Sequence, residues 1–261
     1  MVNNKKIIAV LPAYNAAKTL KQTVEDISRT YVDEIILVDD ASKDNTVEVA
    51  RNLGLKVFAH PKNLGYGANQ KTCYAESLKA GADIVVMVHP DHQYDPKVIP
   101  HLILPLLNEE CDAVFGSRMM VKNEALKGGM PWWKFLANIF LTEVENLILG
   151  LNLTEYHSGF RAYSKKVLET LPLEKNSNGF VFDSEIIVQL KVFKFKIQEI
   201  PIKTRYFKEA SQVQFIKSVQ YGLSILRLLF NYILFKLNLS RSRKFIGLNS
   251  TEIKNHENKV V

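Results

Sequence analysis

Short apolar runs alternate with helix-like segments through residues 7–88, and this alternation constrains the fold more than any other feature of the chain. The runs end at turn or polar residues, as buried strands do, and they cover residues 7–11, 34–38, 55–59 and 84–88. Predicted helices fill the intervals, at 16–28, from Asp44 onward and at 68–80. Strands joined by single helices predict an α/β fold with a mostly parallel sheet and right-handed crossovers.

The second half of the sequence continues the pattern less regularly. Strands are predicted at 113–118 and 197–202, and helices at 132–149 and 180–192. Between residues 214 and 237, apolar residues recur at spacings of three and four, which predicts an amphipathic helix. We therefore divide the chain into an α/β domain at 1–212, an amphipathic helix at 213–239 and a basic polar tail at 240–261.

The basic excess of the chain lies in its C-terminal quarter. Residues 186–261 hold 14 Lys and Arg against 4 Asp and Glu, a net charge of +10, whereas the rest of the chain carries −3. This asymmetry indicates an anionic partner, such as a membrane surface or a phosphate-bearing substrate; a solvated basic tail is the alternative. Nucleic acid is not expected as a partner, because the segment after Arg241 lacks interleaved aromatic residues.

Composition excludes several other classes of protein. With 47% apolar and 23% charged residues the chain is neither disordered nor fibrous, and its two cysteines, Cys73 and Cys111, make neither a disulfide framework nor a four-ligand zinc site. No signal peptide is expected, and the most apolar run, at 228–235, is bracketed by Arg227 and Lys236. The sequence thus argues against an integral membrane span but allows contact with a membrane surface.

Polar residues follow three of the predicted strands at the edge where parallel sheets bind ligands. These residues are Pro12-Ala13-Tyr14-Asn15, Asp39-Asp40 and His89-Pro90-Asp91-His92-Gln93. The first turn has no glycine, so the dinucleotide fingerprint is absent, and the P-loop pattern is absent as well. A dehydrogenase or an ATPase is therefore disfavoured.

The acidic residues at this edge suggest two kinds of ligand. Asp91 and Gln93 offer the oxygen ligands that Mg²⁺ or Mn²⁺ takes when it shares a substrate diphosphate. Asp39 and Asp40 could accept hydrogen bonds from base or ribose groups of a nucleotide. The alternative for both sites is turn chemistry, in which Asp accepts from its own backbone.

Several motifs, in order along the chain, resemble family 2 glycosyltransferases of the GT-A fold. They are Val10-Leu11-Pro12-Ala13-Tyr14-Asn15, Val38-Asp39-Asp40-Ala41-Ser42-Lys43-Asp44-Asn45-Thr46 and Asn63-Leu64-Gly65-Tyr66-Gly67-Ala68. Phe115-Gly116-Ser117-Arg118 and Ser158-Gly159-Phe160-Arg161-Ala162-Tyr163 resemble the branch that contains dolichyl-phosphate mannose synthase. The resemblance covers about residues 5–210 and is specific for the family rather than for a substrate.

The resemblance implies a role for each matching residue. Pro12, Ala13 and Tyr14 would wall the base pocket, Asp39 and Asp40 would bind the base or ribose, and Lys71 would help on the base side. Asp91 and Gln93 would hold Mg²⁺ or Mn²⁺ on the donor diphosphate. Arg118 would meet a donor or acceptor phosphate, with a surface ion pair as the alternative, and Arg161 and Arg205 would also bind substrate. Members invert, so an acceptor oxygen would attack the anomeric carbon in line.

Three positions depart from the branch. His89 stands where the branch has the first Asp of Asp-x-Asp, and it is either a metal ligand or a bystander. Glu155-Tyr156-His157 replaces Asp-Pro-Thr, and a structural role is expected for His157. Ala16 replaces a Glu, which removes one polar contact to the donor.

The need for a catalytic base depends on the acceptor. A lipid phosphate is already an anion, whereas a sugar hydroxyl must lose its proton to a carboxylate. The candidate bases are Asp183, then Glu155, then Glu185; capping of the following helix is the alternative role for Asp183.

The sequence as a whole predicts a metal-dependent inverting glycosyltransferase. It would move a sugar from a nucleotide-diphosphate sugar to a polyprenyl phosphate or another membrane-linked glycan acceptor. It would act in the cytoplasm, peripherally on the inner face of the membrane, with helix 214–237 at the interface or packed on the domain or a second subunit. The alternatives are transfer to a soluble or polymer sugar hydroxyl, and a catalytically silent nucleotide-sugar-binding scaffold. Uridine and guanosine donors, the sugar and the oligomeric state stay open.

Overall fold

A seven-stranded sheet organises the computed structural model, which describes residues 1–121, 123–205 and 215–246. The strands are β1 Ile7–Ala13, β2 Glu34–Asp39, β3 Lys56–Ala59, β4 Ile84–Met87, β5 Ala113–Ser117, β6 Arg161–Ser164 and β7 Ile197–Pro201. Their order across the sheet is β3-β2-β1-β4-β6-β5-β7. Only β6 runs against its neighbours in this sheet, so the predicted mostly parallel α/β fold is confirmed.

Helices cover both faces of the sheet. They are α1 Leu20–Asp26, α2 Thr46–Asn52, α3 Tyr66–Lys79, α4 Ile99–Leu107, α5 Glu124–Lys127, α6 Trp132–Leu149, α7 Lys165–Thr170, α8 Phe182–Val192 and α9 Phe215–Lys236. One apolar core packs α3, α8 and α9 on one face, with the flank of α6 against it, and a second packs α1 and α4 on the other. Every residue of β1 is buried as a result, which explains its unbroken apolar sequence.

The sequence analysis predicted neither strand β6 nor helix α4. Strand β6 begins at Arg161 and lacks an apolar run, yet it pairs with both β4 and β5. Helix α4 has buried apolar residues at helical spacing, Ile99, Leu102, Ile103 and Leu106, but Pro105 in its interior is a residue that normally breaks helices. Helix α1 begins at Leu20 rather than at residue 16, because Ala16 O accepts from the backbone N–H groups of Thr19 and Leu20 in a turn.

The C-terminal helix α9 lies within the predicted range and packs against the α/β domain. Ile225, Leu228, Leu229 and Tyr232 join the core on the α8 face, and Phe245 folds back against Tyr232 with ring centroids 6.2 Å apart. Of the predicted basic tail, residues 247–261 lie outside the described ranges, and the division into domains stays a prediction. Among the described residues, the segment Lys217–Lys236 is long and apolar enough to cross a membrane by length and composition, with a mean hydropathy of 1.2.

The sheet register brings the predicted site residues to one edge. Ala13 at the end of β1 pairs with Asp39 at the end of β2, and β1 also pairs with β4. The loops beyond β1 and β2 are tied together, since Asn15 N donates to Ser42 Oγ at 2.8 Å and Lys43 N donates to Asn15 Oδ1 at 2.8 Å. This edge therefore presents a preformed rim.

Candidate active site

Asp39 has one carboxylate oxygen that no group of the described protein satisfies. The residue is 2% exposed, and its Oδ2 accepts from Ser42 N at 2.9 Å, which is the turn bond expected of an Asp at this position. Its Oδ1 is buried and has no hydrogen-bond partner among the described residues. Because a buried polar atom without a partner is costly, this oxygen is suited to a donor on a ligand.

The neighbouring residue Asp40 has both carboxylate oxygens hydrogen-bonded within the protein. Its Oδ1 meets His60 Nδ1 at 2.8 Å and accepts from Leu64 N at 2.8 Å, while Oδ2 accepts from Gly65 N at 3.0 Å. These bonds shape the loop that leads into α3. The two aspartates that the sequence treated as a pair thus have different surroundings.

The other residues predicted for the base side lie at the end of β1 and on α3. Pro12 and Ala13 are buried at the end of β1, whereas Tyr14 is 49% exposed. Lys71 Nζ donates to Asn176 O at 2.6 Å and to Asn178 Oδ1 at 2.9 Å, and burial lowers the pKa of this lysine. Lys71 therefore ties α3 to the 176–178 loop. Gly67 permits this approach, since a Cβ there would lie 2.4 Å from Ser177 O.

The expected metal ligands follow β4. Asp91 Oδ1 accepts from Gln93 N at 3.1 Å, and its other oxygen accepts no hydrogen bond from the part of the chain that the structure describes. No group of three or more His, Cys, Asp or Glu in that part could hold a metal ion. A metal here would take most of its ligands from a substrate and water, as Mg²⁺ does when it shares substrate phosphates. The residues fit a metal of that kind.

His89 is held from one side by aromatic residues. Its ring stacks on Tyr66 at a centroid distance of 5.8 Å, and its Nε2 lies 3.3 Å from Tyr66 Oη. Nε2 also faces Gly159, where a Cβ would lie only 2.2 Å away, so this position requires glycine. Nε2 is therefore engaged within the protein, and Nδ1 is the only nitrogen of His89 that could meet a ligand.

Asp183 is anchored by helix α3. Its Oδ2 accepts from Tyr66 Oη at 2.8 Å and its Oδ1 accepts from Gln70 Nε2 at 3.0 Å. Since Tyr66 gives its proton to Asp183, His89 Nε2 must carry a hydrogen to bond the same hydroxyl. Helix α8 begins at Phe182 with Val181 as its N-cap, so the capping role considered for Asp183 is wrong.

Glu185 points to a different part of the molecule. It lies two residues after Asp183 on α8, which places the two side chains on different faces of the helix. Its Oε2 accepts from Ser177 N at 2.6 Å, and its Oε1 pairs with Lys244 in the segment after α9. Glu185 therefore anchors the C-terminal segment.

Arg118 and Glu155 form a buried ion pair at the end of β5. Arg118 N donates to Glu155 Oε2 at 2.7 Å and Arg118 Nε donates to Oε1 at 2.7 Å; Asn138 Nδ2 on α6 donates to Oε1 at 2.8 Å. Burial alone would raise the pKa of Glu155, but the charge and hydrogen bonds of Arg118 outweigh it, so that pKa is lowered. The surface ion pair considered for Arg118 is in fact a buried one.

Lys134, at the start of α6, adds a second cation next to Arg118. Burial and then the positive charge of Arg118 lower the pKa of Lys134. With Glu155 these two cations carry a net charge of +1, which an anion near them would balance. The sequence analysis did not single out Lys134, because it lies inside a predicted helix and in no motif.

The other two arginines are placed very differently. Arg161 is 1% exposed and donates through Nε to Ser158 O at 2.7 Å, through one Nη to Asp183 O at 3.0 Å and through the other to Tyr156 O at 2.7 Å. Its guanidinium thus bonds three backbone carbonyls beneath the site, one of them that of Asp183, and the contact with substrate that the resemblance implies stays a prediction. Arg205 is exposed and lies 3.4 Å from Asp95, while its N donates to Gln93 O at 3.0 Å.

A buried polar cluster lies under the site and connects three helices. His157 Nε2 lies 3.4 Å from Glu145 Oε2 on α6, and its Nδ1 lies 3.3 Å from Tyr221 Oη on α9, which in turn lies 3.3 Å from Ser184 Oγ on α8. Burial raises the pKa of Glu145 to about 8 and lowers that of His157 to about 4. Both groups are therefore neutral near pH 7, in keeping with the structural role expected for His157.

Sequence comparison finds one family across most of the domain. The profile described as Glycosyl transferase family 2 matches residues 8–171. A UDP-N-acetylglucosamine–dolichyl-phosphate N-acetylglucosaminyltransferase of Methanococcus voltae is 34% identical over 220 residues, with 78% of this chain and 87% of that protein covered. The low-salt glycan biosynthesis hexosyltransferase Agl6 of Haloferax volcanii is 31% identical over 198 residues, with 74% of this chain and 46% of that protein covered.

Solved structures share the fold. Glucosyl-3-phosphoglycerate synthase of Mycobacterium tuberculosis, in complex with uridine diphosphate, superposes with a TM-score of 0.69 at 21% identity, covering 92% of this chain and 82% of that one. The same enzyme with Mn²⁺, uridine diphosphate and glucosyl-3-phosphoglycerate gives a TM-score of 0.66 at 20% identity, covering the same shares of the two chains. At these identities the likeness establishes the GT-A fold alone.

Proposed function

The chain belongs to glycosyl transferase family 2, in the branch of dolichyl-phosphate sugar transferases, and we propose that it transfers a sugar from a uridine-diphosphate sugar to a polyprenyl phosphate at a membrane surface. The activity as a glycosyltransferase follows from the family. The donor, the acceptor and the metal are our proposal for this chain.

The engagement of every candidate base is the observation that carries the proposal. Glu155 is committed to Arg118 and has a lowered pKa, and Glu185 is committed to Ser177 and Lys244. Asp183 already accepts from Tyr66 and Gln70. Because none of these three carboxylates is free, they suit an acceptor that is already an anion, and a lipid phosphate needs no deprotonation before it attacks.

The cations support the same acceptor. Arg118 at the end of β5 and Lys134 at the start of α6 interact electrostatically, and with Glu155 they carry a net charge of +1 that an acceptor phosphate would balance. In the transfer, a phosphate oxygen of the acceptor forms a bond to the anomeric carbon while the bond from that carbon to the donor diphosphate breaks. The nucleoside diphosphate leaves with the bonding electron pair, and no proton has to move.

The donor is assigned to the other end of the site. Uracil presents an N–H, and Asp39 Oδ1 would accept a hydrogen bond from it. The base would lie against Pro12, Ala13 and Tyr14. Asp91 and Gln93, with Nδ1 of His89 in reach of the same region, would hold Mg²⁺ or Mn²⁺. When bound, the metal offsets the charge of the donor diphosphate and stabilises it as a leaving group. The Methanococcus voltae relative is named for a UDP-sugar donor and a dolichyl-phosphate acceptor, which supports this assignment.

Two alternatives remain as outcomes of the test. A sugar hydroxyl could be the acceptor if Asp183 releases one of its hydrogen bonds to take a proton. A silent scaffold would bind the nucleotide sugar without transferring it.

The experiment is a donor screen followed by an acceptor assay. Calorimetry with uridine and guanosine diphosphate sugars, each with and without Mn²⁺, identifies the donor; we expect metal-dependent binding of a uridine nucleotide. That donor is then incubated with a short-chain polyprenyl phosphate and, separately, with a sugar acceptor, and the products are identified by mass spectrometry. Transfer to the sugar hydroxyl alone would overturn the proposed acceptor, and donor binding without any transfer would support the scaffold.

A further inference from the structure

Helix α6 buries mostly polar residues and exposes large apolar ones. The residues that α6 buries are Asn138, Thr142, Glu145 and, at its last position, Leu149, at spacings of four, three and four. Its exposed large side chains, on the opposite side, are Trp132, Leu136, Ile139, Phe140 and Leu147. A helix on the surface of a water-soluble domain normally shows the reverse arrangement. The outer face of α6 therefore has the composition of a surface that something apolar covers.

Helix α9 extends this apolar surface. It lies against α6, where a Cβ on Gly222 would be in ordinary van der Waals contact with Leu141 Cδ1, at 3.8 Å. Its exposed apolar residues fall on one line along the helix, with successive spacings of four, three, four and seven; they are Val219, Leu223, Leu226, Phe230 and Leu237. The opposite face of α9 is in the core, so the exposed line is additional to what the fold requires.

The charges on α9 indicate which kind of partner covers this apolar surface. The helix carries no acidic residue, and Arg227 flanks the line between Leu223 and Phe230, while Lys217 and Lys236 lie near its two ends. Long cationic side chains beside an apolar line can bury their stems and place their charges among lipid headgroups. A bilayer with anionic lipids complements both the apolar residues and the cations.

We propose that the outer faces of α6 and α9 together form the surface by which the protein docks onto an anionic bilayer, with both helices lying in the interface rather than crossing it. The inference rests on the proposed function, because it names the partner that presents the acceptor. It also connects surface and site: Asn138, on the inner face of α6, bonds the same Glu155 that holds Arg118. The charge of Lys134, on the same helix, interacts with that of Arg118.

One acidic residue interrupts the apolar surface of α6, and replacing it gives a variant that should bind membranes more strongly. Glu143 is exposed on the apolar side of α6, between Phe140 and Leu147. A carboxylate there opposes contact with an anionic bilayer, so docking is centred on the N-terminal half of α6. Replacing it with an apolar residue should strengthen docking, which a folding defect could not imitate.

The test is flotation of the full chain with vesicles of phosphatidylcholine alone or mixed with phosphatidylglycerol. We expect binding to the mixed vesicles that weakens with added salt, a loss of roughly tenfold or more in F140D and L223D, and an increase in E143L. L104D is the matched control, since Leu104 on α4 is 53% exposed, close to the 62% of Phe140 and Leu223, but lies on the other side of the sheet. Equal binding of F140D, L223D, E143L and the wild-type protein would overturn the proposal.

Two further measurements separate the competing occupants and the proposed function. If a second copy of the chain covered the surface, light scattering without lipid would show a dimer, and F140D and L223D would dissociate it. That result would overturn a bilayer as the partner. Resistance of the bound protein to salt and alkaline washes, together with cleavage by protease on both sides of the vesicle, would overturn the interfacial placement in favour of a span. F140D should keep wild-type transfer to a short water-soluble prenyl phosphate. The wild-type protein and all variants could fail to transfer sugar to the prenyl phosphate and still bind vesicles as expected. In that case the proposed function is wrong, and the docking surface is still supported.

Discussion

Arg118 and Glu155 are joined both through the backbone N–H and through the side chain of Arg118, with two donor–acceptor distances of 2.7 Å. The carboxylate thereby fixes the direction of the guanidinium at the end of β5. Glu155 belongs to the stretch that departs from the branch motif, and its longer side chain still reaches the arginine. On the basis of this pair we propose that Glu155 positions Arg118 rather than acting as a base.

We expect Glu155→Gln to weaken use of the acceptor. A neutral amide leaves Arg118 without its buried counter-charge, which costs about 3–5 kcal/mol of folding stability in comparable pairs. The KM for polyprenyl phosphate should rise roughly tenfold or more, with little change in donor affinity. Thermal denaturation and steady-state kinetics with each substrate varied measure both effects. A variant that keeps its acceptor KM and loses only kcat would indicate that Glu155 acts as a base after all.

Asp39→Asn and Asp40→Asn should separate binding from folding. The Asp39 substitution removes the charged acceptor offered by Oδ1, so the Kd for the uridine nucleotide should rise roughly tenfold to a hundredfold, the value of a hydrogen bond to a charged group. The Asp40 substitution disturbs three contacts of the 60–65 loop and should lower the midpoint of thermal unfolding instead. Calorimetry and thermal denaturation are run on both variants. If both lose nucleotide binding equally while staying folded, the distinction between the two aspartates is wrong.

Tyr66→Phe removes the hydroxyl that joins His89 to Asp183 while leaving the ring stack on His89 intact. We expect kcat to fall roughly tenfold with the Kd for the nucleotide unchanged, because the hydroxyl orients groups rather than binding the base. Crystals of the variant with donor would show His89 and Asp183 displaced from each other. Full activity in the variant would mean that the hydroxyl contributes only to packing.

The sequence predicted the strands and their polar ends better than the roles of single residues. Apolar runs such as that at 84–88 identify buried strands directly, and the register then brings Asp39 and Asp91 to one edge. The same reasoning could not distinguish Asp39 from Asp40, since what separates them is which N–H groups the 60–65 loop presents. The sequence analysis placed Tyr66 in the 63–68 motif but assigned it no role, because its partners Asp183 and His89 are far away in sequence and meet it only in the fold.

Helix α6 shows the limit of periodicity most clearly. Its apolar positions predicted a helix at 132–149, and the structure confirms those bounds. Periodicity identifies a face but not which side of the helix is buried. The side is decided here by Glu155 and His157, which lie beneath the helix and bind Asn138 and approach Glu145.

The buried cluster of Glu145 and His157 predicts how stability depends on pH. The folded pKa of Glu145 is raised from 4.5 to about 8, so its contribution is complete below pH 4.5 and is lost as the pH rises to 8. The folded pKa of His157 is lowered from 6.5 to about 4, so its contribution is present above pH 6.5 and is lost as the pH falls to 4. Between pH 4.5 and 6.5 the two groups change the free energy of unfolding in opposite directions. Between pH 6.5 and 8 only Glu145 changes it. We expect the free energy of unfolding to fall by about 2 kcal/mol between pH 6.5 and 8.

Denaturant unfolding at several pH values measures this free energy. Glu145→Gln should flatten its dependence on pH between 6.5 and 8 and make it steeper between pH 4.5 and 6.5. A slope in E145Q equal to that of the wild-type protein would assign the dependence to other groups.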